Sequence, residues 1–528
     1  MWSDNMKISN KLIIFGLILF VSLTAVSAAD IIDDDSSAVA VETPQVEPAN
    51  TESIAPSVQE TQLEDEQEET TSNDVEISQD VTITESNKGD YNNKNWTVNQ
   101  GVTVTGTTGV SLTNVAINVV GDYVTLDNLE ITTNNATKLI DATGTKNLTI
   151  TDSRLTLINN GLSTNNQTIG IDLTNAKNTT ITGTTLNVQA PSQGVTWKND
   201  TGYWYSTLDV SGILVYNSEN IIINQNIIHI TNTTEKYAYT TMPAITIKSG
   251  STNINVTFNT ITSSGAQFVY GIMMNDGVTN VAIKNNTIGV QDVLYVAGID
   301  ASTATNSVVS GNHITATSTG QTTYDPIVGE ESLAYGIISD TYTTGNQNNR
   351  ICNNTIVATA NTVYGIEVYK GDNVTVCSNN IFGNGNKTMG VAFAHTNNSK
   401  IINNFMRLTG TTVAHHSFYE EVTPVNAGII FTNQSNGNWI QGNDIEITAN
   451  GDSTTRAINL QNSTTATITG NELYAIGTDE LIGNNSIIKD SLCSGITIEE
   501  NDGVVPYNCN CGCMNSNTAS QNEAIFFL

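Results

Sequence analysis

At 528 residues the chain is long for one domain, but a repeat architecture carries such a length on one continuous core. With 51 Asp and Glu against 19 Lys and Arg its net charge is −32, which excludes the basic face that phosphate backbones need, so no nucleic-acid partner is expected. Charged residues make up only 13% of the chain, and its polarity comes from Asn, Thr and Ser.

The N-terminus carries Lys7 and Lys11, then an apolar run from Leu12 to Leu23, then small residues at Ser27, Ala28 and Ala29. That is the pattern of a signal peptide over 1–29. The run is short for a membrane span, which takes about 20 residues. A secreted or cell-surface protein with no membrane span after signal removal is expected. Asn-x-Ser/Thr triplets recur, as at Asn95, Asn147, Asn255, Asn373 and Asn462. They are glycan acceptors in an exported protein, although a chain rich in Asn and Thr also generates them by chance.

From Asp30 to Asp80 there are sixteen acidic residues, no Lys or Arg, and prolines at 44, 48 and 56. Such a segment has too little apolar surface to offset its ordering entropy, and self-repulsion extends it. Residues 30–80 are therefore read as a disordered acidic spacer.

From Val81 short runs of Val, Ile and Leu alternate with Thr and Asn, and the unit repeats. Gly170-Ile-Asp-Leu, Gly271-Ile-Met-Met, Gly298-Ile-Asp-Ala, Gly336-Ile-Ile-Ser, Gly365-Ile-Glu-Val and Gly428-Ile-Ile-Phe open successive copies, with Ala244 and Ala457 replacing Gly in degenerate ones. The shortest separations are 25 to 27 residues. Two or three short strands per period, punctuated by Gly and Asn, are what one coil of a parallel β-helix requires. Alternation turns Ile366 and Val368 inward and Glu367 and Tyr369 toward solvent. Asn286, Asn312, Asn354, Asn379 and Asn443 recur at a bend and are expected to form an amide ladder from coil to coil. The fold class is an all-β, right-handed parallel β-helix of roughly 12–15 coils over 81–505, by the period above. A Cys-containing cap or tail follows at 506–528.

The unit resembles the β-helix repeats of pectate-lyase-like proteins. With the signal peptide, the acidic spacer and the Asn/Thr-rich composition, it is similar to the adhesin-like surface proteins of methanogenic archaea. That resemblance implies display or adhesion at the cell surface, with glycans or surface proteins of host or neighbouring cells as partners and no cofactor.

Several repeats are lengthened at one point of the period, after the Asn-x-Ile strand and before the next Gly-Ile. These inserts, about 190–210, 233–242, 318–334 and 409–427, project from one edge and make a candidate binding face. The first holds Trp197, Tyr203, Trp204 and Tyr205, whose faces suit sugar rings or protein partners, or cover the side of the solenoid. The His415–Glu421 stretch matches no established metal spacing, and no metal site is assigned. Among outward positions on the Gly-Ile strand are Asp172, Asp300 and Glu367. Asp300 and Glu367 fall two coils apart, about 9–10 Å by strand spacing and near the upper limit for an inverting glycosidase. One pair chosen from many coils assigns no catalytic residue. A secreted polysaccharide lyase or hydrolase and a structural envelope component remain the alternatives to an adhesin. Cys352 and Cys377 share one outward repeat position a coil apart, within disulfide range. Cys493, Cys509, Cys511 and Cys513 gather near the C-terminus with no assigned pairing.

Overall fold

Short strands with an aliphatic at every second position bury one face each, and stacking them coil on coil turns that face into a column. In the computed structural model they wind into a right-handed parallel β-helix. The structure describes residues 74–502 apart from 160–166, 191–195, 199–203, 207–208, 233–240, 267, 276, 293, 320–331, 342–345, 412–425, 450–454, 477–486 and 490–491. The expected signal peptide, most of the spacer, Tyr203, the His415–Glu421 stretch and the terminal Cys509, Cys511 and Cys513 lie outside the described residues.

Each full coil contributes one strand to each of three parallel sheets, here A, B and C in chain order. Sheets A and B have 15 strands each and sheet C has 13. The first described strand, Asp74–Ile77, pairs in parallel with Asn95–Val98. It lies inside the segment read as spacer. Val75 and Ile77 pack on the core while Asp74 and Glu76 stay exposed, so a four-residue alternation suffices to add a strand to the stack.

The interior is a continuous aliphatic column, in which Ile272, Ile299, Ile337, Ile366, Val391 and Ile429 follow one another in register on sheet A. Each such side chain contributes about 1.5–3 kcal/mol by leaving water. At the bend between sheets B and C runs the expected asparagine ladder. The Nδ2 of Asn312 donates to Asn354 Oδ1 at 2.9 Å, and that of Asn354 to Asn379 Oδ1 at 2.9 Å. The ladder begins at Asn226 and ends at Asn501. Each member also donates to a backbone carbonyl, as Asn354 does to Val309 at 3.0 Å, so the buried amides are satisfied.

The repeated glycine has a local cause. Val363 and Ile366 both face the core although they are three residues apart, while Tyr364 belongs to a separate outer cluster. The alternation therefore slips by one residue at Gly365. A Cβ there would lie 2.5 Å from the Gly390 carbonyl oxygen and against the Ile381 Cγ2 methyl. Because of the slip, sheet A presents one outward residue just before the glycine, a tyrosine at 270, 335 and 364, and a second outward residue two positions after it.

Sheet A also departs from the expectation for its outer face. Strands of sheets B and C alternate buried with accessible positions, as in Arg154–Ile158. Leu333–Ser339 and Asn426–Thr432 of sheet A are buried at every position. Glu367, expected to face solvent, is 6% exposed, and Tyr369 is half-buried. Both do point away from the core, but the outer face of sheet A is itself apolar and buried, forming a second cluster that includes Tyr335, Ile338, Tyr364 and Ile430.

Candidate functional site

Parallel register sets the outer face of sheet A. Tyr270, Ala297, Tyr335 and Tyr364 align in one row, and Phe268, Tyr295 and Leu333 in the row beside it. The rings form a staircase. Tyr295 sits 5.6 Å from Phe268, 5.6 Å from Tyr270 and 5.2 Å from Tyr335, and Tyr335 stacks on Tyr364 at 4.9 Å. A cavity of about 300 Å³ opens along the lower part of this staircase. Phe268, Tyr270, Tyr295 and Tyr335 form its aromatic wall, and Asp300, Ser302 and Asp340 contribute its polar groups.

Asp300 and Glu367 occupy the row on the other side of the glycine, with Ile338 between them. Two strand steps put them about 9–10 Å apart. Asp300 lines the cavity; Glu367 is not among its lining residues. Burial pushes the Asp300 carboxyl up to about 7, opposed by hydrogen bonds from Ser302 and reinforced by the Asp340 carboxylate. The Ser302 N–H donates to Asp300 Oδ1 at 2.9 Å, and the Asp340 N–H donates to Ser302 Oγ at 3.0 Å. Ser302 thus links the two acids. Burial likewise raises Glu367 to about 8, helped by Asp340 and offset by Lys387. Glu367 Oε2 is buried without a hydrogen-bond partner among the described residues. Tyr270 and Tyr295 are raised as well, first by burial and then by neighbouring acidic groups. These phenols stay neutral donors.

The third acid of that row behaves differently. Asp172 is buried but takes an ion pair from Lys138 at 2.7 Å, and Lys138 also reaches Asp141 at 2.8 Å. That trio is a clamp between neighbouring coils in which one ammonium is shared by two carboxylates.

The aromatic insert contains a two-stranded antiparallel hairpin, Thr196–Lys198 with Trp204–Ser206, in which Trp197 stands opposite Tyr205 and Lys198 opposite Trp204. It lies in the connection from Thr185–Ala190 of sheet C to Asp209–Tyr216 of sheet A. The wall of the cavity was not among the sequence-derived candidates. Its signal was present as a repeated Tyr-Gly-Ile, in Tyr270-Gly-Ile272, Tyr335-Gly-Ile337 and Tyr364-Gly-Ile366. Starting each copy at the glycine left the tyrosine before it outside the repeated unit.

Cys352 and Cys377 are register partners and form a disulfide with Cα atoms 4.5 Å apart. The expected surface position is corrected for Cys352, which is 2% exposed. The Arg350 guanidinium approaches both sulfurs, at 3.7 and 3.6 Å. A second depression, about 670 Å³ and lined by Lys370, Asp372, His395 and surrounding asparagines, lies on the connection from sheet A to sheet B. It has no aromatic wall of the kind above.

No protein-family model and no curated protein matches the chain. Similar solved structures include a tailspike protein mutant of E. coli bacteriophage HK620 in complex with hexasaccharide, at 11% identity over 76% of this chain and 73% of that one, with TM-score 0.39. The periplasmic alginate epimerase AlgG is similar at 12% identity over 81% and 84%, with TM-score 0.34. DFA-IIIase from Arthrobacter chlorophenolicus A6 is similar at 11% identity over 58% and 79%, also with TM-score 0.34. Likeness at this level extends to the fold alone.

Proposed function

We propose that this chain is an exported, adhesin-like surface protein that binds saccharides on the outer face of sheet A. The observation that carries the reading is the cavity in which Phe268, Tyr270, Tyr295 and Tyr335 stand beside Asp300 and Ser302. Flat aromatic faces take the apolar faces of sugar rings, and a few convergent polar groups then fix orientation. A carboxyl poised near neutrality donates or accepts a hydrogen bond, which suits hydroxyl groups that do both. The inserts, including the hairpin with Trp197, Trp204 and Tyr205, join sheet C to the same sheet A and extend the binding face in this reading.

Hydrolysis is the second reading. A proton-bearing Asp300 is the form a general acid needs. Binding without turnover is preferred because Glu367, the partner at glycosidase spacing, does not line the cavity.

The test is a polysaccharide panel scored for both retention and released oligosaccharides. Retention without products, weakened at least tenfold by Tyr335→Ala and less by Trp204→Ala, supports binding. Products that disappear in Asp300→Asn would establish catalysis instead. Retention unchanged in Tyr335→Ala would move the site off sheet A.

A further inference from the structure

Building on the saccharide reading, we propose that this cavity selects sugars carrying a free amine, with the ammonium seated against Asp300 and the ring against Tyr295 and Tyr335.

No Lys, Arg or His is among the described lining residues. Asp300 is 8% exposed, its described hydrogen bonds come from Ser302, and the charged group acting on it is another acid, Asp340. Asp172, in the same row, shows what this position looks like when neutralised, with Lys138 at 2.7 Å. At Asp300 the equivalent cation is not supplied by a described lining residue, and the cavity leaves room for one from a ligand.

The groups facing Asp300 come from three neighbouring strands of sheet A. Tyr270 comes from Phe268–Asn275, Tyr295 from its own strand, Tyr335 from Leu333–Ser339, and Asp340 follows that strand. Glu367 and Lys387 lie farther along the stack and act on each other. None of the described cavity-lining members is cationic. The tyrosine faces add attraction for an ammonium through their quadrupoles. A uronate would instead bring a second negative charge to an acidic, desolvated wall, and a neutral sugar would leave Asp300 holding its proton.

A proton balance follows. At pH 6 the free site holds a proton on Asp300, because its carboxyl titrates at about 7. An arriving ammonium favours the carboxylate, and that proton passes to the buffer. A neutral sugar releases none.

The experiment is titration calorimetry of the full chain with β-1,4-linked glucosamine oligomers, their N-acetylated counterparts and oligogalacturonate, at pH 6 in two buffers of unlike ionisation enthalpy. The deacetylated oligomer should bind about tenfold or more tightly than the acetylated one, as a charge-assisted contact predicts. Its binding should release up to about one proton per site. Asp300→Asn should abolish the preference and the release, bringing the two oligomers to equal affinity. A preference that survives Asp300→Asn belongs to the acidic surface at large and overturns the proposal. Equal or inverted affinities without proton release in the unmodified protein also overturn it, independently of any variant, and leave the saccharide reading standing. If none of the three oligomers binds, the saccharide reading falls with it.

Discussion

Single side chains in this solenoid are judged by where their polar atoms go. Asn354 uses all of its amide: Oδ1 accepts from the Asn312 backbone N–H and Nδ2, and its own Nδ2 donates to Val309 O and Asn379 Oδ1. Replacing it with Leu strands several buried groups at once, and we expect a loss of about 2–4 kcal/mol in denaturant unfolding. Asn348 belongs to an exposed ladder, donating to Asn306 and accepting from Asn373. Its φ of 56° suits glycine, so Asn348→Gly should cost no more than about 0.5 kcal/mol in the same measurement. Asp300 and Glu367 add a pH dependence. Their folded pKa values lie above the ordinary carboxylate range, so the unfolded chain ionises first as pH rises. Their contribution is fully present below about pH 4 and is lost progressively up to about 7 for Asp300 and 8 for Glu367. Thermal melts should fall over that window, and Asp300→Asn with Glu367→Gln should flatten the fall. Identical slopes for both proteins would contradict the burial argument.

Strands are where the sequence was most and least informative. The alternation in Thr149–Thr151 or Lys400–Ile402 gives one buried residue between accessible ones, and that is how those strands sit. The asparagine ladder was legible for the same reason, since its members recur at a fixed place beside such strands. Sheet A was misread at Glu367 because alternation identifies the side of the sheet and not whether a second layer covers it. The continuous burial of Thr362–Val368 is the pattern of a sheet buried on both faces, and its strands carry fewer polar outward residues accordingly. The cavity was illegible because its wall is assembled from three coils, each contributing a tyrosine whose meaning depends on register. The disulfide was legible from spacing, and it ties Arg350–Cys352 to Thr375–Cys377. Replacing both cysteines with Ala should lower stability by about 3 kcal/mol, from the closed loop between them. Hydrogen exchange should locate the loss in those two strands and their immediate neighbours, because a solenoid couples each coil chiefly to the next.

At the scale of the molecule, three stacked sheets form a long support whose outer faces are not equivalent. Sheets B and C present threonine, asparagine and serine to water, while sheet A carries an aromatic staircase and the buried acids. The connections that vary in length, those from sheet C to sheet A, lead into this face. A net charge of −32 keeps the chain apart from its own copies and draws cations toward it. The central claim is that ligands bind on sheet A. Hydroxyl-radical footprinting of the full chain, with and without the tightest-binding saccharide of the panel, tests it directly. Protection should be concentrated at Phe268, Tyr270 and Tyr295. Protection confined to the groove around Lys370 and His395, with these rings equally reactive in both states, would contradict it.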